Sequence, residues 1–311
     1  MTQPRIVYVT GKGGVGKTTV CAGLGLAASQ RGLRTVVAEP SGAAMLPALF
    51  SVPASGYKPT PLAPDLYSIT ITAEEALEDY VVQQIKFRSL YRAVFRNRVM
   101  GPFVDGVPGL HEAVQLGKVF DLERERDADG RSWDLIIVDA PATGHGLSLL
   151  TSAESMSDLA RRGPLAEGAR EVDAKIRHPT TTAIVLVALP ESLPVSETID
   201  LWQRLGERQQ QVRACVLNRC HPTPRVSESA WGKIQGALLA SGGLVSEAAK
   251  LTESWAARHT QQNDAVSALR SALDVDLLTV PNLLHGIAGP QQLAPVIAAL
   301  QDLPFLPTAT P

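Results

Sequence analysis

Short apolar runs, rich in β-branched residues, punctuate the chain. They are RIVYVT (5–10), RTVVAE (34–39), LYSITI (66–71), WDLIIVDA (133–140), TAIVLVAL (182–189), VRACVLN (212–218) and DLLTVP (276–281). Most show no clean alternation of apolar and polar positions. A strand wetted on one face alternates, whereas a strand covered on both faces reads as a nearly unbroken apolar run. Helical stretches separate the runs, so the pattern predicts an α/β fold with a doubly wound, mostly parallel sheet.

The pattern changes from Ala73 to about Arg126, where no convincing strand occurs. Leu77, Tyr80, Val81, Phe87, Leu90, Tyr91, Val94 and Phe95 fall largely on one helical stripe, and Lys86, Arg88, Arg92, Arg96 and Arg98 crowd the same helix. The break MGPFVDGVPG leads to a second helix, LHEAVQLGKVFDLERE, and a further helical excursion runs from about Gly146 to Arg177. Segments 73–126 and roughly 146–177 are expected to form a helical insertion subdomain on a single domain spanning 1–311. Its apolar stripe reads as core more readily than as a groove for a client. The tail LPFLPTATP (303–311) reads as a fraying end.

Composition narrows the classes. The 311 residues are 45% hydrophobic and 19% charged, which suits a soluble globular chain with a sizeable core. The net charge of −2 gives no basic field for nucleic acid or anionic lipid. Nucleic acid is therefore excluded as a first partner, and membrane association is expected to be indirect at most. The cysteine count of 3 is odd and gives no disulfide framework. On a continuing strand Cys215 and Cys220 would point to opposite faces, and Cys21 is expected to be packed in a helix. The N-terminal residues enter a strand without signal-peptide flanks, and no apolar run reaches the ~18 residues of a membrane span. The expected compartment is the cytoplasm.

The candidate chemistry begins with GKGGVGKTT at residues 11–19. Gly11, Gly16, Lys17 and Thr18 complete the phosphate-loop pattern G-x-x-x-x-G-K-[ST], between a strand and a helix. The backbone N–H groups of Gly11, Gly13, Gly14, Val15 and Gly16 would turn around phosphates, with Thr19 in the first helical turn. Lys17 would reach the β/γ-phosphates and the Thr18 hydroxyl would sit on Mg²⁺. A second lysine, Lys12, has no obvious packing role in such a turn. WDLIIVDAPATGH (133–145) ends an apolar strand in Asp139, a position suited to holding Mg²⁺, and Gly144 would allow a mobile loop beyond it. His145 reads as structural. Glu39, at the end of the second strand, reads equally as a group that orients or deprotonates attacking water and as an N-cap-like or solvent-facing acid. Asn218 in VLNRCHP, closing a late strand, offers both donor and acceptor to a purine edge.

In this order these segments resemble the ArsA/Get family, the arsenite-pump and tail-anchored-protein-targeting ATPases with a deviant phosphate loop. GKGGVGKTT is similar to the family loop throughout. DAPATGH (139–145) resembles DTAPTGH with two substitutions. VALPESLPVSETIDL (187–201), VLNRCHP and TVPNLLHGIAGPQQL (279–293) are similar to its Pro-Glu/Glu-Thr run, its adenine-side asparagine segment and its last strand with a proline-bearing loop. The resemblance implies a P-loop NTPase that binds ATP and Mg²⁺ and works as a dimer, homodimeric or paired with a paralogue. Lys12 would cross to the other subunit's phosphates, Asp139 would be a switch residue near Mg²⁺, and Asn218 and Pro281 would lie at the adenine. Hydrolysis would reshape a helical surface that carries a client. Three departures stand out. Glu39-Pro40 replaces the usual Asp-Pro, and neither the metalloid cysteine cluster nor a C-x-x-C pair is present. Of the 4 Met, only Met100 clearly falls in the 73–126 part of the insertion. A bacterial side branch is implied, with no named cargo. A poorly hydrolysing nucleotide-dependent scaffold and a positioning or partition ATPase stay open as alternatives.

Overall fold

Register in the central strands brings the loop and Asp139 together. In the computed structural model, β1 (Ile6–Gly11) lies between β5 (Leu135–Asp139) and β6 (Thr182–Ala188), parallel to both. Val9 stands beside Asp139 and Gly11 beside Val187. The structure describes residues 4–40, 44–85, 107, 109–126, 130–160, 164–223, 228–283, 286–303 and 305–306.

The 8-stranded sheet has the order β3-β4-β2-β5-β1-β6-β7-β8. Its other strands are β2 (Thr35–Glu39), β3 (Thr60–Ala63), β4 (Leu66–Thr70), β7 (Val212–Cys220) and β8 (Asp276–Pro281). Every pairing is parallel except β3 with β4. The expected doubly wound, mostly parallel architecture is therefore present. The antiparallel edge strand β3 gave no sequence signal, because TPLA is short, half-exposed and carries Pro61, which only an edge accommodates.

Alternating side chains of each strand feed two cores. On β1, Ile6 and Tyr8 join one cluster, and Val7 and Val9 join the other. Burying such side chains stabilises by roughly 1.5–3 kcal/mol each before entropy is counted. The second core is closed by α1 (Lys17–Ser29), α2 (Met45–Leu49) and α10 (Ala294–Leu300). At Gly23 a Cβ would come within 2.5 Å of Val296 Cγ1, so its absence lets α1 and α10 touch. Leu303, Phe305 and Leu306 are buried in this core too, which corrects the reading of the tail as frayed. Their apolar side chains outweigh the neighbouring prolines. Residues 307–311 lie outside the described residues.

The first core is closed by α3 (Ala73–Ile85), α4 (Leu110–Arg124), α5 (Thr143–Ala160), α6 (Pro164–Arg177), α7 (Ser192–Leu205) and α9 (Gly243–Ala272). Leu77 and Val81 of the predicted stripe are buried there and Tyr80 packs against them, so this part is core. Phe87, Leu90, Tyr91, Val94 and Phe95, the basic residues from Lys86 to Arg98, and Met100 lie outside the described residues. A helix, not a mobile loop, begins at Thr143 and contains Gly144, because the apolar residues further along α5 seat it on the core. The side chain of His145 is outside those described. Sequence patterning also left α8 (Glu228–Ala240) and most of α9 unassigned. Their largely exposed faces produce little amphipathic contrast.

Cys215 and Cys220 face the same core, not opposite faces. The strand does not continue regularly between them. Arg219 takes a left-handed φ of 57° and the β7–β8 register shifts between Leu217 and Cys220, which turns Cys220 inward. All three cysteines are buried and free. Burial pushes the Cys21 thiol well up, the Cys215 thiol to about 12 and the Cys220 thiol to about 11, the values of inert packed thiols.

Candidate nucleotide site

The loop between β1 and α1 is shaped by steric necessity at its two ends. A Cβ on Gly11 would stand 2.2 Å from the Val187 carbonyl oxygen across the β1–β6 pairing. Gly16 has φ 92° and caps α1, and a Cβ there would stand 2.2 Å from Asn218 Nδ2. At Gly11 the obstacle is fixed backbone, whereas at Gly16 it is a side-chain amide, added to a left-handed φ that favours glycine. Gly13 and Gly14 form the exposed tip, and Val15 is buried below it. No side chain caps α1, and its first turn, which includes Thr19, carries no acidic residue. Its N–H groups therefore face the loop as a site for an anion.

Lys17 Nζ donates to the carbonyl oxygens of Gly11 (3.2 Å) and Lys12 (3.0 Å). Desolvation lowers its pKa, partly opposed by the Asp139 charge. Thr18 Oγ1 donates to Asp139 Oδ2 at 2.6 Å. Asp139 is 8% exposed, and desolvation raises its pKa against the Thr18 hydrogen bond and the Lys17 charge. The hydroxyl and carboxylate thus converge under the loop, brought there by the β1–β5 register. Oxygen donors of this kind fit Mg²⁺, a hard cation that takes one or two protein oxygens and completes its shell with phosphate and water. Among the described residues no cluster of three or more His, Cys, Asp or Glu side chains could hold a metal by itself.

Glu39 is 2% exposed, which corrects the solvent-facing reading, because the N–H groups at the start of α2 close over its carboxylate. Its Oε1 accepts the backbone N–H groups of Met45 (2.7 Å) and Leu46 (3.0 Å), capping the start of α2. Its Oε2 is buried with no hydrogen-bond partner among the described residues. Desolvation raises its pKa and the Asp139 charge adds to that, while the two capping N–H groups oppose it. Next to it, Pro40 O accepts from Gln115 Nε2 of α4, which also donates to Ile71 O at 2.8 Å. The helical layer is tied to the site at this point and again where α5 follows Asp139 after a short connection.

Asn218 braces the loop. Its Nδ2 donates to Val15 O at 2.8 Å and its Oδ1 accepts from Arg219 N at 2.9 Å. Its chain neighbour Arg219 lines a polar recess of about 560 Å³ together with Glu191, His221, Arg258 and Asn282, and Asn218 itself does not line it. Pro281, at the exposed end of β8, immediately precedes Asn282 in the chain and pairs with Cys220. A separate cavity of about 180 Å³ among α3 to α6 shares no residue with the loop.

Lys12 has a partner that sequence reasoning missed. Its Nζ lies 2.7 Å from Glu197 Oε1 on α7. The sequence signal was the Glu-Thr pair within SETIDL, quoted above as a segment but without a task. The site therefore gathers Lys12, Lys17, Thr18, Asp139 and Asn218 around one loop, with Glu39 at the end of β2.

Fold and site together define an α/β nucleotide-binding protein of the phosphate-loop type. More narrowly, the chain belongs to the anion-transporting ATPase family, whose sequence profile matches residues 4–164. It is similar to ATPase BagA of Mycobacterium tuberculosis (strain ATCC 25618 / H37Rv), 29% identical over 303 residues, covering 91% of this chain and 88% of that one. It is also similar to an ATPase ASNA1 homolog of Entamoeba dispar, 23% identical over 254 residues, covering 70% and 76%. No helix among the described residues is long and apolar enough to cross a membrane.

Proposed function

We propose that the protein binds Mg-ATP and hydrolyses it as a dimer, using the nucleotide cycle to move a client- or partner-binding helical surface. The observation that carries this reading is the 2.6 Å approach of Thr18 Oγ1 to Asp139 Oδ2 beneath a loop whose end glycines cannot be replaced without a clash. Thr18 and Asp139 would hold Mg²⁺, which would neutralise charge on the phosphates. Lys17 would leave the Gly11 and Lys12 carbonyls for the β/γ-phosphates, and the loop N–H groups would orient them. Lys12 would deliver its charge to the phosphates of a neighbouring subunit, as an arginine finger does in trans. Asn218, with Pro281 and the recess beside them, would receive the base. Glu39 Oε2 is the free carboxylate oxygen that could orient water. The links from α4 to Pro40 and from Asp139 to α5 support the transmission of a change at the site to the helical subdomain (73–126 and roughly 146–177). A homodimer fits the single loop, and a paralogue would serve equally as the second subunit.

Steady-state phosphate release tests the reading. Lys17→Ala should abolish turnover. Lys12→Ala should bind ATP yet turn over about a hundredfold or more slowly, the usual effect of removing one transition-state charge contact. Normal turnover in Lys12→Ala would sink the trans-acting role. A second reading, a nucleotide-dependent scaffold that hydrolyses poorly, is favoured by the capping of α2 through Glu39 Oε1. Bound ATP with no turnover above the Lys17→Ala blank would decide for it.

A further inference from the structure

Glu197 lies outside the loop, yet it holds one of the loop's lysines. Its place on α7 is fixed by its neighbours. Thr198 and Val195 are buried, and Thr198 Oγ1 donates to Pro194 O at 2.7 Å. The Lys12–Glu197 pair is half-buried, with side chains 28% and 35% exposed. Glu197 Oε1 takes the lysine, while Oε2 is buried and has no hydrogen-bond partner among the described residues. A buried carboxylate oxygen without a donor is costly, so this contact leaves Glu197 under-satisfied. Lys17 is meanwhile bound to loop carbonyls. Both loop lysines are therefore turned inward within one chain.

We propose that Glu197 is a positioning residue for Lys12: it holds the lysine against its own subunit until an ATP-loaded second copy offers phosphates in exchange. The inference rests on the trans-acting reading of Lys12 above. Its physical basis is charge competition. One carboxylate outweighs solvent for a half-buried ammonium, and a triphosphate outweighs one carboxylate. The exchange is favourable only when nucleotide is present. A two-fold dimer contact also repeats each residue across the axis, so two unpaired copies of Lys12 near that axis would repel. Paired with Glu197, each is neutralised until it is needed. The ion pair thus sets the population of chains whose lysine is ready to cross.

Two measurements test this on the full chain. The first is acylation of lysines in nucleotide-free protein by an amine-reactive ester, read by peptide mass spectrometry. Glu197→Gln should raise labelling of Lys12 about fivefold relative to Lys17, as expected for loss of a partly exposed ion pair. Glu197→Asp, which keeps the charge on a shorter arm, should fall between. Equal labelling in wild type and Glu197→Gln overturns the proposal. The second is sedimentation velocity against ATP concentration. Glu197→Gln should reach half-dimer at several-fold lower ATP, and the shift should vanish in a Lys12→Ala background. A shift of the same size in that background overturns it, because Glu197 would then act without Lys12. Normal hydrolysis by Lys12→Ala removes the trans-acting reading yet leaves the labelling result standing, so the two failures are distinguishable.

Discussion

At the scale of single residues, the site works against its own stability at Asp139. Burial raises the pKa of this carboxyl group, so holding it ionised at neutral pH costs folding free energy. A raised folded-state pKa means that the folded chain binds the proton more tightly than the unfolded one. The penalty is absent below the unfolded-state pKa, grows as pH rises from there to the folded-state value, and is complete above it. Asp139→Asn should therefore stabilise the fold at pH 7, while lowering hydrolysis at least about a hundredfold. Thermal melts at descending pH check the first part, since the advantage should shrink as wild-type Asp139 takes up its proton. A variant no more stable than wild type at pH 7 would contradict the burial argument. Residues of this kind were legible in the sequence: Lys17, Thr18 and Asp139 follow from motif and strand-end position. Glu197 was not, because its role depends on an ion pair across 185 positions of sequence. Nor was the bracing of Val15 by Asn218, a hydrogen bond across 203 positions of sequence.

At the scale of elements, the sharpest demand falls on the end of β1. A methyl group on Gly11 meets the backbone oxygen of Val187, which cannot rotate away, whereas a methyl group on Gly16 meets the amide of Asn218, which can. Gly11→Ala should thus cost about 3 kcal/mol or more, and Gly16→Ala about 1–2 kcal/mol through backbone strain and a weakened Asn218 bond. Urea titration of both variants measures the difference, and equal stabilities would contradict the assignment. The apolar runs predicted every strand of the sheet except β3, because strands covered on both faces announce themselves. The helices α8 and α9 did not, because their patterning reflects exposure more than burial. The tail misled for the opposite reason. Three prolines in LPFLPTATP mask apolar side chains that bury.

At the scale of the whole molecule, the proposed dimer has a kinetic signature. If catalysis needs a charge from a second subunit, specific activity should rise with protein concentration and level off once dimers predominate. Dilution series of the ATPase rate, run alongside sedimentation, give the comparison. A specific activity independent of concentration across the monomer–dimer transition would argue against a shared site. The fold class was legible because α/β alternation spans the chain. The proposed assembly rests on Lys12, to which the structure of one chain gives a partner at home.

The position of β1 has a consequence of its own. Among the described residues it is the strand that joins the β3-β4-β2-β5 half of the sheet to the β6-β7-β8 half. Asp139 and Glu39 stand on one half, while Asn218 and the approach to Glu197 stand on the other. A nucleotide seated on the loop would be sampled from both sides at once, like a coincidence detector. One side would register the metal and the terminal phosphate, and the other the base and the presence of a neighbour. Between them in the sheet lie six residues, IVYVTG.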